Sequence, residues 1–385
     1  MQENTDHNRK NQNQKFTHIS MRKITSSATL LTLVIALSFA NAGTASAQKK
    51  HSKKLAQAQS AFVVATEHGV PADGKTDATE AIQKLIDENP NRTIVFPDGV
   101  YLVSRSINTP ADPAKSVHLV LGNYTTLKAT GNWQKGDAIV RLGAIHKANN
   151  IYKNGSNYGI SGGIIDGSNI ANGISIDGGR ETRVENVSIK HVQTGVHIKF
   201  GANSGSSDAD IIDVNITGNG KSNSIGVLVE GFDNTFTNMR IANVNIGVHL
   251  KTGGNCLRNI HPLYTGGKEQ TYETSCGFVV ESTNNWFNYC YSDQFATGFK
   301  IKKGVSVNLS DCFCYWYSGK VPFQTAIECD GKFESIVTGL RVGFRKECPM
   351  LTILKAEKGG RGMFANYIKP AGELSSDDVS RDYTR

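Results

Sequence analysis

Proline is scarce in this chain: nine in 385 residues, against 39 glycines. That balance, with charged residues at 20%, excludes a collagen-like or highly charged disordered polymer and suits β-structure rich in turns. Long apolar runs are also lacking. The main one, Ala28 to Ala40, is too short for a membrane span, and no Cys follows it to support a lipoprotein. Seven Cys occur, but their spacing gives no disulfide framework. Cys312-x-Cys314 is too close for a good zinc pair. The formal charge of +8 does not point to nucleic acid. Arg22, Lys23, Lys49, Lys50, Lys53 and Lys54 concentrate it near the N-terminus, and the remainder is closer to neutral.

That N-terminus has the pattern of an export signal. Arg22-Lys23 is the basic start, Ala28 to Ala40 the apolar segment, and Ala45-Ser46-Ala47 a small-x-small cleavage site. The alternative is an uncleaved anchor. Met21 is a candidate true start, because residues 1–20 are polar. The expected organisation is an extension and signal peptide over 1–47, a mobile leader over 48–61, one domain over 62–370, and a polar tail over 371–385. Cleavage near Ala47 would release a bacterial-style periplasmic or secreted protein with no membrane span.

One short motif recurs through the domain: small residue, apolar, any, apolar, charge. Copies start at Gly173, Gly195, Gly226, Gly247, Gly277, Gly298 and Ala326, at intervals of 22, 31, 21, 30, 21 and 28 residues. Such self-similarity predicts a solenoid. Each repeat has a second strand, apolar-x-x-apolar-x-apolar, starting at Val184, Ile211, Phe236, Leu257, Phe287, Leu309 and Val337. Its third position is mostly Asn or Asp, which predicts a turn ladder. The connections before the next Gly alternate short and long, so the unit is two coils, about 51 residues. The long loops should form a ridge along one corner.

The domain opens with Gly69-Val70-Pro71-Ala72-Asp73-Gly74-Lys75-Thr76-Asp77-Ala78-Thr79-Glu80-Ala81-Ile82-Gln83, then Val95-Phe96-Pro97-Asp98-Gly99-Val100-Tyr101. This resembles the start of the pectate-lyase-superfamily proteins, and the resemblance covers roughly residues 62 to 365. It implies an all-β fold: a right-handed parallel β-helix of the pectin-lyase-like kind, with an N-terminal helical cap. It also implies a polysaccharide partner. Members include polygalacturonases, rhamnogalacturonan-active enzymes, tailspike glycosidases, glucanases and uronate epimerases. Asp73, Asp77 and Thr79 read as turn and capping residues.

Alternation along a strand puts every second side chain outside. The outer terminal column then reads Asp177, Lys199, Glu230, Lys251, Glu281, Lys302 and Asp330, with Arg141 at its head. Its sign changes at every coil. One interpretation is a ladder of neighbouring pairs that fixes register. The other is a polysaccharide-binding face, with Glu230 and Glu281 about 9.6 Å apart as candidate catalytic carboxylates. The adjacent column holds His197 and His249. His249 with Lys251 is a candidate catalytic pair for proton transfer, and His197 and Lys199 are candidate substrate contacts. Late aromatics, including Tyr291, Tyr315 and Trp316, should be exposed and suit sugar stacking or a subunit interface.

The acidic and Gly-His-Gly signatures of polygalacturonase-type members are not found in series, which argues against that type of hydrolase. No resident metal or other cofactor is expected, with calcium required only by a lyase; Asp208, Asp210 and Asp213 could supply oxygens for it. The expected function is an exported carbohydrate-active enzyme, glycoside hydrolase or polysaccharide lyase. The alternative is a noncatalytic glycan-binding or assembly β-helix, such as a homotrimer.

Overall fold

The computed structural model describes residues 62–131, 133–144, 156–200, 206–317, 322–344 and 350–365. The export segment with its cleavage site at Ala47, the leader and the tail all lie outside the described residues.

The described chain is a parallel β-helix. Each repeat adds one strand to a ten-stranded sheet and a shorter pair to a 21-stranded sheet that turns a corner. The repeated motif forms the ten-stranded sheet. Its strands include Asn172–Ile176, Thr194–Ile198, Ile225–Val229, Ile246–Leu250, Cys276–Val280 and Thr297–Ile301. Ile174 lies against Val196, Val196 against Val227, Val227 against Val248, Val248 against Phe278, and Phe278 against Phe299. These side chains are all but fully buried. Each contributes about 1.5–3 kcal/mol by leaving water. Phe278 and Phe299 stack at 4.7 Å, with Phe287 edge-on to both.

The second strand bends at its third position. Asn186, Asp213, Asn238, Asn259, Tyr289 and Asp311 there have φ between 52° and 57°, and Gly339 has 71°. One left-handed residue turns each coil. Asn, Asp and Gly accept that conformation readily, whereas other residues are strained by roughly 1–2 kcal/mol. The expected ladder is present: Asn238 Nδ2 donates to Asp213 Oδ1 at 3.1 Å, and Asn259 Nδ2 to Asn238 Oδ1 at 2.9 Å.

A second ladder, of Asn234, Asn255 and Asn285, is wholly buried at the opposite entry to this strand. Asn234 Nδ2 donates to Asn255 Oδ1, and Asn255 Nδ2 to Asn285 Oδ1, both at 2.9 Å. The same oxygens accept backbone N–H groups from Asn234 and Asn255. Turn amides with no access to water are thereby satisfied from the coil below.

The described parts of the long connections, residues 219–224, 264–275, 317 and 322–323, lie on alternate coils and reach one another. Lys221 bridges Glu269, and the Tyr272 hydroxyl donates to the Phe323 carbonyl at 2.8 Å. The ridge therefore spans the short turns between. Near the N-terminal end, the helix Thr79–Glu88 buries Ile82, Leu85 and Ile86. Asp77 accepts from the Thr79 N–H at 2.9 Å, and Asp73 accepts from Lys75 and Thr76. The backbone N–H of Thr76, then that of Lys75, hold the Asp73 carboxyl down at about 2. Cys290, Cys312, Cys314 and Cys329 are buried, with free thiols.

Candidate functional site

The ten-stranded sheet presents the expected charge column, and its members are paired with one another or with the histidines of the adjacent column. Asp177 lies between Arg141 and Lys199, with Lys199 Nζ at 3.2 Å. Glu230 accepts from Lys251 Nζ at 2.8 Å and His197 Nε2 at 2.9 Å. Glu281 accepts from His249 Nε2 at 2.9 Å. Lys302 meets Asp330 at 3.1 Å, and Lys355 meets Glu328 at 3.0 Å.

Burial is the main influence on His197 and lowers its pKa; the Glu230 carboxylate only partly opposes this. His197 is thus a neutral ring donating from Nε2. Burial alone would raise the Glu230 carboxyl, but hydrogen bonds from Lys251 and His197 keep it below the usual range. Glu230, Glu281, His249 and Lys251, with His197 and Lys199, are brought together as consecutive rungs of a paired face. They do not converge on a groove.

Two expectations for this face need correction. Arg141 does not head the terminal column. Its strand Ala138–Leu142 is set so that Arg141 lies beside Ser175, and it reaches Asp177 diagonally. Asp177 and Ser175 are buried rather than solvent-facing, because Asp177 is enclosed by its two cations and accepts from the Ser175 hydroxyl.

On the other side of the ridge, the outward face of the second strands carries a cluster that does not repeat. The strand Cys256–Leu263 ends with His261 outward between the inward Ile260 and Pro262. The strand Tyr291–Asp293 follows one coil on, and Leu263 pairs with Asp293. His261 and Tyr291 stack at 3.9 Å, and the Tyr291 hydroxyl lies 3.3 Å from Asp293 Oδ2. His261 Nε2 is 3.6 Å from the same oxygen, too long for a hydrogen bond. His261 Nε2 and Asp293 Oδ1 are both buried without a hydrogen-bond partner.

Burial, reinforced by the Asp293 charge, raises the Tyr291 phenol well above its ordinary range. Tyr291 therefore keeps its proton at neutral pH. Phe313 stacks on Tyr291 at 4.8 Å, Tyr315 lies beside Phe313, and the Arg341 guanidinium covers Phe313 at 5.4 Å. Arg240 flanks His261 on the preceding coil.

Tyr291 is thus outward, as alternation predicts, and Tyr315, expected at the opening of a long loop, is outward within the strand Phe313–Trp316. Trp316 is not. The strand Phe313–Trp316 runs one residue past Tyr315, so alternation turns the indole inward. There it is buried and donates to the Phe295 carbonyl at 2.8 Å, so it is unavailable for stacking on a sugar. His261 and Asp293 escape a search of the sequence for repeats because they occur once. The detectable signal is the alternation His261, Leu263 and Tyr291, Asp293 about inward residues.

Among the described residues no group of three or more His, Cys, Asp or Glu is placed to hold a metal ion. Asp208 pairs with Arg180 at 2.8 Å, Asp210 with Arg183 at 3.5 Å, and Asp213 joins the turn ladder. None of the described helices is long and apolar enough to cross a membrane.

Parallel coils with an outward polar face define a pectate-lyase-like β-helix protein. The chain belongs to the family described as rhamnogalacturonase A/epimerase, pectate lyase-like, whose model matches residues 62–277. Similar folds occur in ORF18 of Geobacillus virus E2, with TM-score 0.62 and 18% identity over 84% of this chain and 64% of that one. A tailspike double mutant of E. coli bacteriophage HK620 gives 0.57 and 10% over 82% and 67%. An alginate lyase from Paenibacillus sp. gives 0.54 and 12% over 76% and 98%. This chain thus spans about two thirds of the length of the two viral proteins. Comparison with curated protein sequences gives no match.

Proposed function

We propose that this chain is an exported enzyme that modifies an acidic polysaccharide by proton transfer at His261, Tyr291 and Asp293. The observation that carries this reading is the His–Tyr–Asp cluster, whose buried polar atoms His261 Nε2 and Asp293 Oδ1 have no hydrogen-bond partner among the described residues. Native proteins leave few such groups unpaired, and functional sites are among the reasons. The family and the fold supply the substrate class by analogy.

The chemistry suited to this cluster is β-elimination at a uronate. His261 would take the proton from the carbon next to the carboxylate. That electron pair forms the ring double bond as the neighbouring carbon–oxygen bond breaks. Tyr291, still protonated, would supply the proton to the departing oxygen. Asp293 would orient the phenol, and Arg240 is placed beside His261 to meet the carboxylate. Both proton-handling groups lie on one side, which favours elimination over an epimerisation needing opposite faces. The solenoid is taken as right-handed, the hand of nearly all parallel crossovers, with the helix Thr79–Glu88 as its N-terminal cap.

The test is a panel of acidic and neutral polysaccharides assayed three ways: reducing-end release, ultraviolet absorbance of an unsaturated product, and deuterium uptake from heavy water. Elimination gives the first two signals. Reducing ends alone would move the reading to hydrolysis, and deuterium uptake alone to epimerisation. Silence in all three would sink the enzyme. A second reading, noncatalytic glycan binding or assembly as a homotrimer, is favoured by the fully paired charge face. Light scattering and glycan-array binding by a catalytically silent chain would support it.

A further inference from the structure

The turn ladder is broken at one coil. Six of the seven second strands bend on Asn, Asp or Gly, and the seventh bends on Tyr289, at φ 57°. A bulky side chain is a genuine outlier there. Nothing in the fold compensates for it: Tyr289 is 67% exposed, and its ring has no hydrogen-bond or aromatic partner among the described residues. Strain retained without packing points to a function.

The break has chemical consequences. Asn259 donates back to Asn238, but the next rung offers its Oδ1 no donor. The Asn259 amide oxygen, the Asn288 amide and the Asp311 carboxylate are left without side-chain hydrogen bonds among the described residues. Arg258 has no ion-pair partner among them. These groups and Tyr289 line a groove of about 470 Å³, which Asn238 also borders. Trp286, 44% exposed and likewise without a ring partner, lies on the same strand as Asn288. An open aromatic plate ringed by unpaired amides, a carboxylate and a guanidinium matches the faces and hydroxyls of a sugar.

We infer that this corner is a carbohydrate subsite, with Tyr289 stacking on a pyranose ring and Arg258 meeting the carboxylate of a uronate residue. The choice of an acidic glycan rests on the proposed function; the subsite itself does not depend on the chemistry at His261. Asn259 and Tyr289 stand at the left-handed bend, two residues before His261 and Tyr291 on the same coils. A polymer engaging both sites would therefore cross the coils around the corner rather than run along the solenoid axis.

The test is titration calorimetry of the full chain with oligogalacturonates, oligomannuronates and neutral cello-oligosaccharides, beside thermal unfolding. Tyr289→Asn restores the ladder residue. It should unfold at the same or a higher temperature, yet bind the uronate oligosaccharide at least tenfold more weakly. Arg258→Ala should weaken uronate binding and leave any neutral-sugar binding within twofold. His261→Gln should abolish turnover while affinity stays within threefold. The subsite is overturned if Tyr289→Asn and Arg258→Ala both keep affinities within twofold of the parent. Failure of the parent to bind any of the three also overturns it. Binding with these losses but no turnover overturns only the reaction at His261.

Discussion

His261 and Tyr291 stack ring on ring, 3.9 Å between centroids and 11° from parallel, although 30 residues separate them in the chain. Adjacent coils make this contact, and Asp293 beneath them ties the phenol. Two groups able to move protons are thereby held within one substrate width.

Tyr291→Phe keeps the stack and removes only the hydroxyl. It should lower kcat at least ~100-fold, the range for loss of a general acid, with KM within about threefold. His261→Gln should do the same. Steady-state kinetics on the best substrate of the panel checks both, and unchanged kcat in either variant would remove that residue from the reaction.

Glu230→Gln and Glu281→Gln should retain activity within about threefold, because their partners are His197, Lys251 and His249 rather than an open site. Fully exposed pairs are worth only about 0.2–1 kcal/mol each, and these half-buried ones hold register rather than a substrate. Loss of kcat in both variants, with normal unfolding curves, would return the charge column to the centre of the mechanism.

Acid should destabilise the fold in two stages. Burial depresses His197, so stability is complete above about pH 6.5 and declines as pH falls toward the folded value, because the unfolded chain takes up the proton first. Glu230 is also depressed. Its contribution is present above about pH 4.3 and is lost as pH falls through its folded value. His197→Gln should flatten part of the first stage in urea melts run across this window. An unaltered slope would mean that His197 is not buried neutral.

Asn255→Ala should cost at least about 2 kcal/mol in urea unfolding. It strips the buried acceptor from both the side-chain amide and the backbone N–H of Asn234, while Asn285 Oδ1 keeps only the Asn255 backbone N–H, at about 1–3 kcal/mol for each unpaired group. Asn259→Gly, at the exposed ladder, should stay within about 1 kcal/mol, since Gly tolerates the left-handed turn. Equal losses at the two positions would contradict the difference in burial.

The coil period, the inward residues and the neighbour pairs Asp177–Lys199, Glu230–Lys251 and Lys302–Asp330 of the charge column were legible because they repeat. Val196, Val227 and Val248 announce one another, and so do His197 and His249. Position-specific features were less legible. The strand end at Trp316 depended on one extra residue of sheet pairing, and the offset of Arg141 on where its strand begins. The Asn234–Asn255–Asn285 ladder stands two residues before the apolar start at Phe236, Leu257 and Phe287, just outside the motif. The His261 cluster joins residues from coils separated by a long loop, and no local pattern marks that meeting.

The alternating column also limits how such a protein can lengthen. Gly195 to Gly247 is 52 residues and Gly247 to Gly298 is 51, each step covering two coils. Removing a single coil, such as the one bearing Glu230, would set Lys199 against Lys251 and bring a long loop out of phase with its neighbours. Removing two preserves both patterns. The quantum of insertion or deletion in this solenoid is therefore the coil pair, and chimaeras cut at pair boundaries should fold where single-coil cuts fail.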